Sequence, residues 1–327
     1  MREPHFWTVQ DKRSRASAPM IKLLLTPLSM IYRRAGQNRI EKAVPEDAGL
    51  PVICIGNLTL GGAGKTPVTA AVRKHFAGKG VRAASLSRGY RGTLKGAHRV
   101  DAVRHAYTET GDEPLMLAAF GEAWISKDRP AGARAMRADG VQLIVMDDGH
   151  QNPSLKKSMS IVVIDASNPF GNGHIFPKGP LRERISDGLA RADAVVLMGN
   201  GETPPALRDF RGTILRAYLA PLAPLPPGRY IAFAGIGRPE RFFDSLQAQP
   251  GVELADSVPF PDHHAFTPSD ISYLMKLSTE RNARLVTTDK DFVRLPQDLK
   301  TKVLRASVEA KFDDPAAFAS LLDRVLA

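Results

Sequence analysis

The feature that most constrains the fold is a glycine-rich segment, Gly56–Pro67, with the sequence Gly-Asn-Leu-Thr-Leu-Gly-Gly-Ala-Gly-Lys-Thr-Pro. It follows an apolar run, 51–56, and precedes a helical pattern over 67–79. A strand that enters a helix through such a loop is typical of a phosphate-binding loop (P-loop), because glycine lets backbone N–H groups converge on phosphate oxygens. The segment therefore predicts a parallel sheet with helical crossovers.

Further apolar runs support this fold. They cover 51–56, 81–86, 142–147, 160–165 and 193–198. Because the runs are continuously apolar, they predict strands buried on both faces of a sheet. Helical patterns such as 114–124 lie between them. We expect an α/β fold of the P-loop NTPase type: a doubly wound, mostly parallel sheet, a smaller C-terminal α/β domain and an N-terminal interfacial helix.

Composition divides the chain into four segments. A Pro-rich stretch, 221–228, cannot form a regular helix or a central strand and is predicted to link two domains. The P-loop core is predicted to cover 43–220, and the smaller domain to cover 229–327, where the βα pattern restarts. Residues 1–42 precede the core as a basic amphipathic segment.

The segment 1–42 carries nine Lys and Arg against three Asp and Glu, in a chain of net charge +11. Its apolar stretch, 20–32, is interrupted by a lysine and a proline and is shorter than the roughly 20 apolar residues that span a bilayer. We expect a helix in the membrane interface, with Phe6 and Trp7 at the same depth. The alternative is a helix packed on the protein's own core with its basic side in solvent.

Eight consecutive residues are predicted to bind nucleotide phosphates: Thr59, Leu60, Gly61, Gly62, Ala63, Gly64, Lys65 and Thr66. In such loops the lysine reaches the β- and γ-phosphates, and the hydroxyl after it ligates Mg²⁺. Lys65 and Thr66 occupy these two places. Thr59 stands where the eight-residue pattern ordinarily begins with glycine.

Two adjacent carboxylates, Asp147 and Asp148, end the apolar run 142–147. Neighbouring carboxylates repel each other unless a cation or hydrogen-bond donors compensate their charge. A P-loop protein also needs an acid at the end of a neighbouring strand to hold its metal. The pair therefore predicts a Mg²⁺-related role for at least one of the two.

Three other features carry little weight alone. Asp112, two residues before Pro114, is suited to be a helix N-cap. The pair His263 and His264 has the spacing of neither a zinc helix nor a catalytic triad, so a structural role is the simpler interpretation. The single cysteine, Cys54, is predicted to be a buried strand residue.

Taken together and in order, the motifs resemble those of the tetraacyldisaccharide 4′-kinase family, the lipid A kinases of Gram-negative bacteria. The resemblance rests on Gly56–Pro67, Ser87-Arg88-Gly89-Tyr90, Gly111-Asp112-Glu113-Pro114, Asp147-Asp148-Gly149-His150-Gln151, Pro180-Leu181-Arg182-Glu183, Asp262-His263 and Asp289-Lys290-Asp291. With the basic-apolar leader, the resemblance covers about residues 1–292, and the set of motifs is far more specific than any single one.

The resemblance implies phosphorylation of the 4′-hydroxyl of tetraacyldisaccharide 1-phosphate, with ATP and Mg²⁺ as cofactors and lipid IVA as product. It implies a peripheral enzyme at the cytoplasmic face of the bacterial inner membrane, attached through residues 1–42, with no nucleic-acid partner. It also implies three groups of site residues: catalytic Asp112, His263 and Lys65; nucleotide-binding Arg182 beside the loop; and metal-side Thr66, Asp147, Asp148 and Glu183. Asp112 would be the base, with His263 hydrogen-bonded to it. The role of Asp289-Lys290-Asp291 stays open.

Two other function classes share some of these features. A P-loop GTPase or ATPase that drives a conformational switch is disfavoured, because the chain has no Asn/Thr-Lys-x-Asp guanine motif and no Cys/His-rich tract to carry a metal. A non-enzymatic nucleic-acid or membrane-binding module would explain the basic segment. It would leave the P-loop and the paired acids without a purpose.

Overall fold

The computed structural model describes residues 4–9 and 15–326. Within them the helices are α1 Pro19–Glu41, α2 Lys65–Ala77, α3 Tyr107–Thr110, α4 Asp112–Ala118, α5 Arg129–Ala138, α6 Ile185–Leu189, α7 Pro239–Gln247, α8 Pro268–Arg281, α9 Asp289–Phe292, α10 Gln297–Lys300 and α11 Pro315–Asp323. The strands are β1 Val52–Gly56, β2 Ala83–Ser87, β3 His98–Arg99, β4 Ala123–Ile125, β5 Leu143–Asp147, β6 Met159–Asp165, β7 Ala194–Met198, β8 Thr213–Pro221, β9 Gly228–Ala234, β10 Val252–Pro259, β11 Arg284–Thr288, β12 Val303–Ala306 and β13 Val308–Phe312. Arg2, Lys12 and Arg13 of the predicted basic segment lie outside the described residues.

The larger sheet of the described residues has nine strands in the order β13-β8-β7-β6-β1-β5-β2-β4-β3. All strands from β8 to β4 run parallel to their neighbours. The edge strands β13 and β3 are antiparallel to theirs. The predicted doubly wound, mostly parallel α/β sheet is confirmed.

Both faces of this sheet are buried, which explains why its strands are apolar at successive positions. On one face Ile55 packs in a cluster with Phe76 of α2. On the other face Val52 packs with Met136 of α5. Cys54 lies between them along β1 and is buried, as predicted.

A second, parallel sheet of four described strands has the order β10-β9-β11-β12. Helix α8 covers one of its faces, where Leu274 packs with Phe233. Helix α7 covers the other, where Leu246 packs with Tyr230. This sheet and its helices form the smaller C-terminal α/β unit.

The end of the chain returns to the first sheet. Strand β13 pairs with β8, with Val308 opposite Pro221, and Phe318 of α11 packs in the core of the larger sheet. The predicted domain 229–327 is therefore wrong at its C-terminal end, and the predicted linker 221–228 begins inside β8. A parallel strand is preceded by a helical crossover that the sequence pattern reveals, whereas a short antiparallel edge strand needs none. The sequence therefore does not indicate which strand β13 pairs with.

Two other local predictions also differ from the structure. The predicted helix 114–124 ends at Ala118, and Trp124 lies in β4, because the chain must return to the sheet beside β2. Trp7, expected at the membrane surface, is buried, and its indole Nε1–H donates to the Pro177 carbonyl at 3.1 Å.

Helix α1 covers Pro19–Glu41 and continues through Pro27. It is longer than the predicted apolar stretch 20–32. None of the helices in the described residues combines the length and the apolar character needed to cross a bilayer.

The parallel strands bring the predicted motifs to one edge of the larger sheet. The glycine-rich loop leaves the carboxyl end of β1, and Ile55 of that strand pairs with Asp147 at the carboxyl end of β5. In open α/β sheets, ligands bind in the crevice at this edge. The fold thus places the loop and the paired acids side by side.

Candidate functional site

The glycine-rich loop curves into the first turn of α2. Gly61 and Gly64 have φ angles of 106° and 84°, a region that residues with a Cβ rarely adopt. Gly64 is the N-cap of α2, and Lys65 is its first residue. The loop therefore presents backbone N–H groups and the positive end of a 13-residue helix at one place, an arrangement suited to phosphate oxygens.

The segment that begins at Pro180 is hydrogen-bonded to this loop. The Leu60 amide donates to the Pro180 carbonyl at 2.7 Å. Arg182 donates from its own amide to the Leu58 carbonyl at 2.8 Å and from Nε to the Thr59 carbonyl at 3.1 Å. The predicted nucleotide-binding Arg182 thus lies against the loop.

Asp148 is paired with two cations at this edge. Its Oδ1 lies 2.7 Å from Arg182 Nη1 and 3.7 Å from Lys65 Nζ. Burial alone would raise the pKa of Asp148, but the charges of Lys65 and Arg182 lower it to about 2. Asp148 is therefore ionised at neutral pH.

Asp147 is more deeply buried and has neutral partners. Its carboxylate accepts hydrogen bonds from the hydroxyls of Thr69 at 3.1 Å and Ser87 at 3.5 Å. Burial and the negative charge of Glu113 raise the pKa of Asp147 to about 7, although the charge of Lys65 opposes them. The two adjacent acids therefore differ in environment. Asp148 is ionised, whereas the carboxyl of Asp147 is only partly ionised near pH 7.

Glu183 is fixed on both oxygens. Oε1 accepts from the Gln151 amide at 2.9 Å, and Oε2 lies 2.6 Å from Arg191 Nη2. The same Gln151 amide donates to the Asn57 carbonyl at 2.9 Å. Glu183 is thereby tied to the start of the glycine-rich loop.

The donor set of this edge fits a magnesium ion shared with phosphate. Mg²⁺ usually binds through one or two carboxylates together with substrate phosphates and waters. Thr66, Asp147 and Asp148 supply hydroxyl and carboxylate oxygens beside the loop. Among the described residues no three or more His, Cys, Asp and Glu form a group that could hold a metal by themselves.

A second centre forms around Asp112. Its Oδ2 accepts from His263 Nδ1 at 2.8 Å and from Arg294 Nε at 2.9 Å, and also contacts Arg294 Nη2. Burial would raise the pKa of Asp112, but hydrogen bonds from His263 and Arg294 lower it to about 2. The N-cap interpretation is wrong: Gly111 is the N-cap of α4, and Asp112 is its first residue.

His263 joins the two structural units. It lies after β10 with a φ of 59°, and its amide donates to the Gly235 carbonyl at 3.1 Å. Its Nε2 is 3.2 Å from Lys290 Nζ. A neutral ring with its proton on Nδ1 satisfies both contacts, donating to Asp112 and accepting from Lys290.

One open cleft of about 3530 Å³ connects these groups. The whole loop from Thr59 to Thr66 lines it, together with both acids of the 147–148 pair, Arg182 and Glu183. His263 lines the same cleft from the second unit. The cleft therefore has the phosphate-binding loop on one side and His263, the hydrogen-bond partner of Asp112, on another.

The sequence matches the profile of the family described as tetraacyldisaccharide-1-P 4′-kinase over residues 21–327. The chain belongs to this family. Relatives named tetraacyldisaccharide 4′-kinase include one from Hyphomonas neptunium, 56% identical over 100% of this chain and 97% of the relative, and one from Maricaulis maris, 47% identical with the same coverage. The predicted family, and with it a kinase that phosphorylates the lipid A precursor, is confirmed.

A crystal structure of LpxK from Aquifex aeolicus, described as being in complex with ATP, is 24% identical to this chain. It superposes with a TM-score of 0.75, over 94% of this chain and 100% of that one. The likeness shows that the two proteins share a fold.

The structure gathers the residues that the family resemblance implied. The loop 59–66, the acids Asp147 and Asp148, Arg182 and Glu183 lie at one edge of the larger sheet. Asp112 and His263 meet at the second centre, 151 residues apart in sequence.

Sequence reasoning gave no role to two residues of this site, although Gln151 stood in one of the motifs. Arg294 contacts Asp112 directly, and Gln151 links Glu183 to the loop. Arg294 stands three residues after Asp291, a spacing that places opposite charges side by side on a helix, so a signal for one of its contacts was present. Nothing in the sequence indicated that it also reaches Asp112.

The neighbouring histidines give a matched test of this geometry. His264 bonds Asp270 at 2.9 Å and stacks on Phe260, whereas His263 bonds Asp112. We expect His263→Ala to lower kcat by about 10²-fold, because it removes a donor that holds the carboxylate, whereas His264→Ala lowers the melting temperature and leaves kcat nearly unchanged. Steady-state kinetics and thermal unfolding of both variants measure this. Equal losses of kcat would contradict the assignment.

Proposed function

We propose that the cleft transfers the γ-phosphate of ATP to the 4′-hydroxyl of tetraacyldisaccharide 1-phosphate and forms lipid IVA. The observation that carries the proposal is the Asp112–His263 pair, whose histidine lines the same cleft as the glycine-rich loop. The loop supplies a site for the phosphates, and the pair supplies an acceptor for the hydroxyl proton. The ATP complex of the Aquifex aeolicus relative supports ATP as the donor.

On the nucleotide side, the chain's own groups compensate charge. The loop amides, Lys65 and Arg182 would contact phosphate oxygens, where fixed donors stabilise the charge of the transferring group. Thr66 and the acids Asp147 and Asp148 would hold Mg²⁺, with Glu183 beside them. The ion supplies further charge compensation when bound. Lys65 Nζ and Arg182 Nη1 lie 3.7 Å and 2.7 Å from Asp148 Oδ1, so both cations stand beside this acid.

On the acceptor side, Asp112 would orient the 4′-hydroxyl and take its proton. A pKa of about 2 makes Asp112 a weak base that is fully ionised at neutral pH. This suffices for a loose transition state, in which the attacking oxygen needs little negative charge before the phosphoryl group arrives. His263 would hold the carboxylate in place and keep it ionised.

The proposal gives the two units separate tasks. The predicted core, 43–220, would bind the nucleotide, and the predicted smaller domain would complete the site with His263. The ion pair between Arg238 Nη1 and Asp165 Oδ2, at 2.8 Å, supports a fixed placement of the second unit beside the core. The disaccharide would lie between them.

Transfer of labelled γ-phosphate to tetraacyldisaccharide 1-phosphate in detergent micelles tests the base assignment. We expect Asp112→Asn to lower kcat by about 10²- to 10⁴-fold, because the amide accepts no proton, while ATP binding is retained. Asp128→Asn is the matched control, because asparagine also caps a helix well and Asp128 only caps α5. Lys65→Met should abolish transfer. Near-wild-type turnover in Asp112→Asn would refute the base assignment.

We further propose that α1 attaches the enzyme to the cytoplasmic face of the inner membrane, where ATP meets a lipid acceptor. Large apolar side chains of this helix are exposed: Met20, Ile21, Leu23, Leu24, Leu28, Met30, Ile31 and Tyr32. An exposed apolar face of this size is typical of an interaction surface. Arg34 and Arg39, toward the C-terminal end of the helix, are exposed and suited to anionic headgroups. These exposures favour the interfacial helix over a helix packed on the protein's own core.

Vesicle sedimentation tests the attachment. Leu24 and Leu28 are 76% and 54% exposed, so replacing them leaves the packing intact. We expect Leu24→Asp/Leu28→Asp to weaken binding to phosphatidylethanolamine–phosphatidylglycerol vesicles by about 10²-fold, since each buried leucine contributes about 1.5–3 kcal/mol. Tyr273→Asp, at a residue that is 53% exposed and lies in α8, is the control. Full sedimentation of the double variant would contradict the proposal.

A further inference from the structure

The motif Asp289-Lys290-Asp291 lies against the helix that carries Asp112. It forms α9, which contacts α4. Val293, just after it, packs in an apolar cluster with Leu115 and Leu117, which both belong to α4. A segment of the second unit therefore belongs to the packing of the proposed base helix.

Each side chain of the motif bonds a group that reaches this helix or its base. Asp291 Oδ1 lies 3.0 Å from Arg294 Nη1, and Arg294 contacts Asp112. Lys290 Nζ lies 3.2 Å from His263 Nε2, and His263 bonds Asp112 as well.

The first acid of the motif acts at the far end of the helix. Asp289 contacts Arg305 and accepts from the Ser307 hydroxyl at 2.7 Å. The Arg305 guanidinium lies 4.8 Å from the ring centre of Phe120, which follows α4 by two residues, and 5.5 Å from that of Phe292. The motif thus fixes both ends of the segment 112–120.

Arg294 is the most constrained of these groups. Its side chain is 1% exposed, and its partner Asp291 is 0% exposed. Besides Asp291 it donates to the Gly235 carbonyl at 3.2 Å, so its position is set before it meets Asp112. A buried guanidinium with this many partners has little freedom to move, and it presents two donors to one carboxylate oxygen.

All hydrogen bonds that the described residues make to the Asp112 carboxylate fall on Oδ2. Three donors there leave Oδ1 as the oxygen available to a further ligand. We propose that Arg294, held by Asp291, is a positioning residue for phosphoryl transfer. Together with His263, which contacts Lys290, it occupies Oδ2 of Asp112, so that Oδ1 faces the acceptor hydroxyl. The inference rests on the proposed role of Asp112 as the base.

The charges around Asp112 predict how its pKa responds to the loss of Arg294. The groups that face it are Arg294 and His263, and both lower its pKa. On the elements packed against α4, the other charged side chains belong to α2, α3 and α9. Arg73 on α2 donates to the Leu117 carbonyl at the other end of the helix, and Glu109 on α3 accepts from the Ala106 amide. Burial raises the pKa of Asp112, and without Arg294 the hydrogen bond from His263 is left to lower it. The pKa of Asp112 therefore rises when Arg294 is removed.

The test compares Arg294→Met and Arg294→Lys with the matched control Arg284→Met, whose arginine stacks on Tyr230 in the same unit. We expect Arg294→Met to lower kcat by about 10²-fold with the KM for ATP changed by less than about threefold. Arg294→Lys should recover part of kcat, and Arg284→Met should behave as wild type.

A purely structural role would give a different result. A KM for ATP that rises as much as kcat falls, or an Arg294→Lys variant no more active than Arg294→Met, would overturn the positioning role. If Arg294→Met fails to fold because Asp291 is left unpaired, Asp291→Asn/Arg294→Met removes both buried charges and is measured in its place.

The failure of this inference can be separated from that of the proposed function. Asp112→Asn with wild-type turnover would refute the base assignment itself. An inactive Asp112→Asn, together with a fully active Arg294→Met, would refute the positioning role alone. If Asp112→Asn strongly lowers kcat, adding Arg294→Met to that variant should lower kcat by less than about a further threefold, because both residues act through one carboxylate.

Discussion

The site depends on how the charge of one partly buried carboxylate, that of Asp112, is compensated. Asp112 belongs to the larger sheet's unit, whereas its partners His263 and Arg294 lie 151 and 182 residues further along the chain. A carboxylate taken out of water is unfavourable without such partners, so the second unit must be in place for Asp112 to be ionised and oriented. The contact that joins the two units is thus also the contact that prepares the proposed base.

The parallel sheet supplies the other half of the arrangement. Because its strands all end at one edge, the glycine-rich loop, Lys65 and the acids of the 147–148 pair come together without long loops. Opposite charges already pair there, as in the contact of Asp148 with Arg182. The site is therefore assembled from rigid elements, which is what phosphoryl transfer requires, since positioning and charge compensation supply most of its catalysis.

The local sequence pattern predicted those features of the fold that depend on neighbouring residues in the chain. The P-loop, the central strands and the placement of Asp147 and Asp148 follow from apolar runs and glycine spacing, while the pairing of Asp112 with His263 came from the family resemblance. The return of β13 to the first sheet and the contact of Arg294 with Asp112 depend on how the second sheet docks, which no local pattern records. Trp7 was placed wrongly because an aromatic beside basic residues has the same pattern at a membrane surface and in a core.

A double-mutant cycle in kcat between Asp112→Asn and His263→Ala tests the central claim, that one carboxylate and its partners act as a unit. If His263 acts through Asp112, the double variant should be no more than about threefold slower than Asp112→Asn alone, because the histidine has nothing left to orient. If the two losses multiply, His263 acts independently of Asp112, and the account of a base held by the second unit is contradicted.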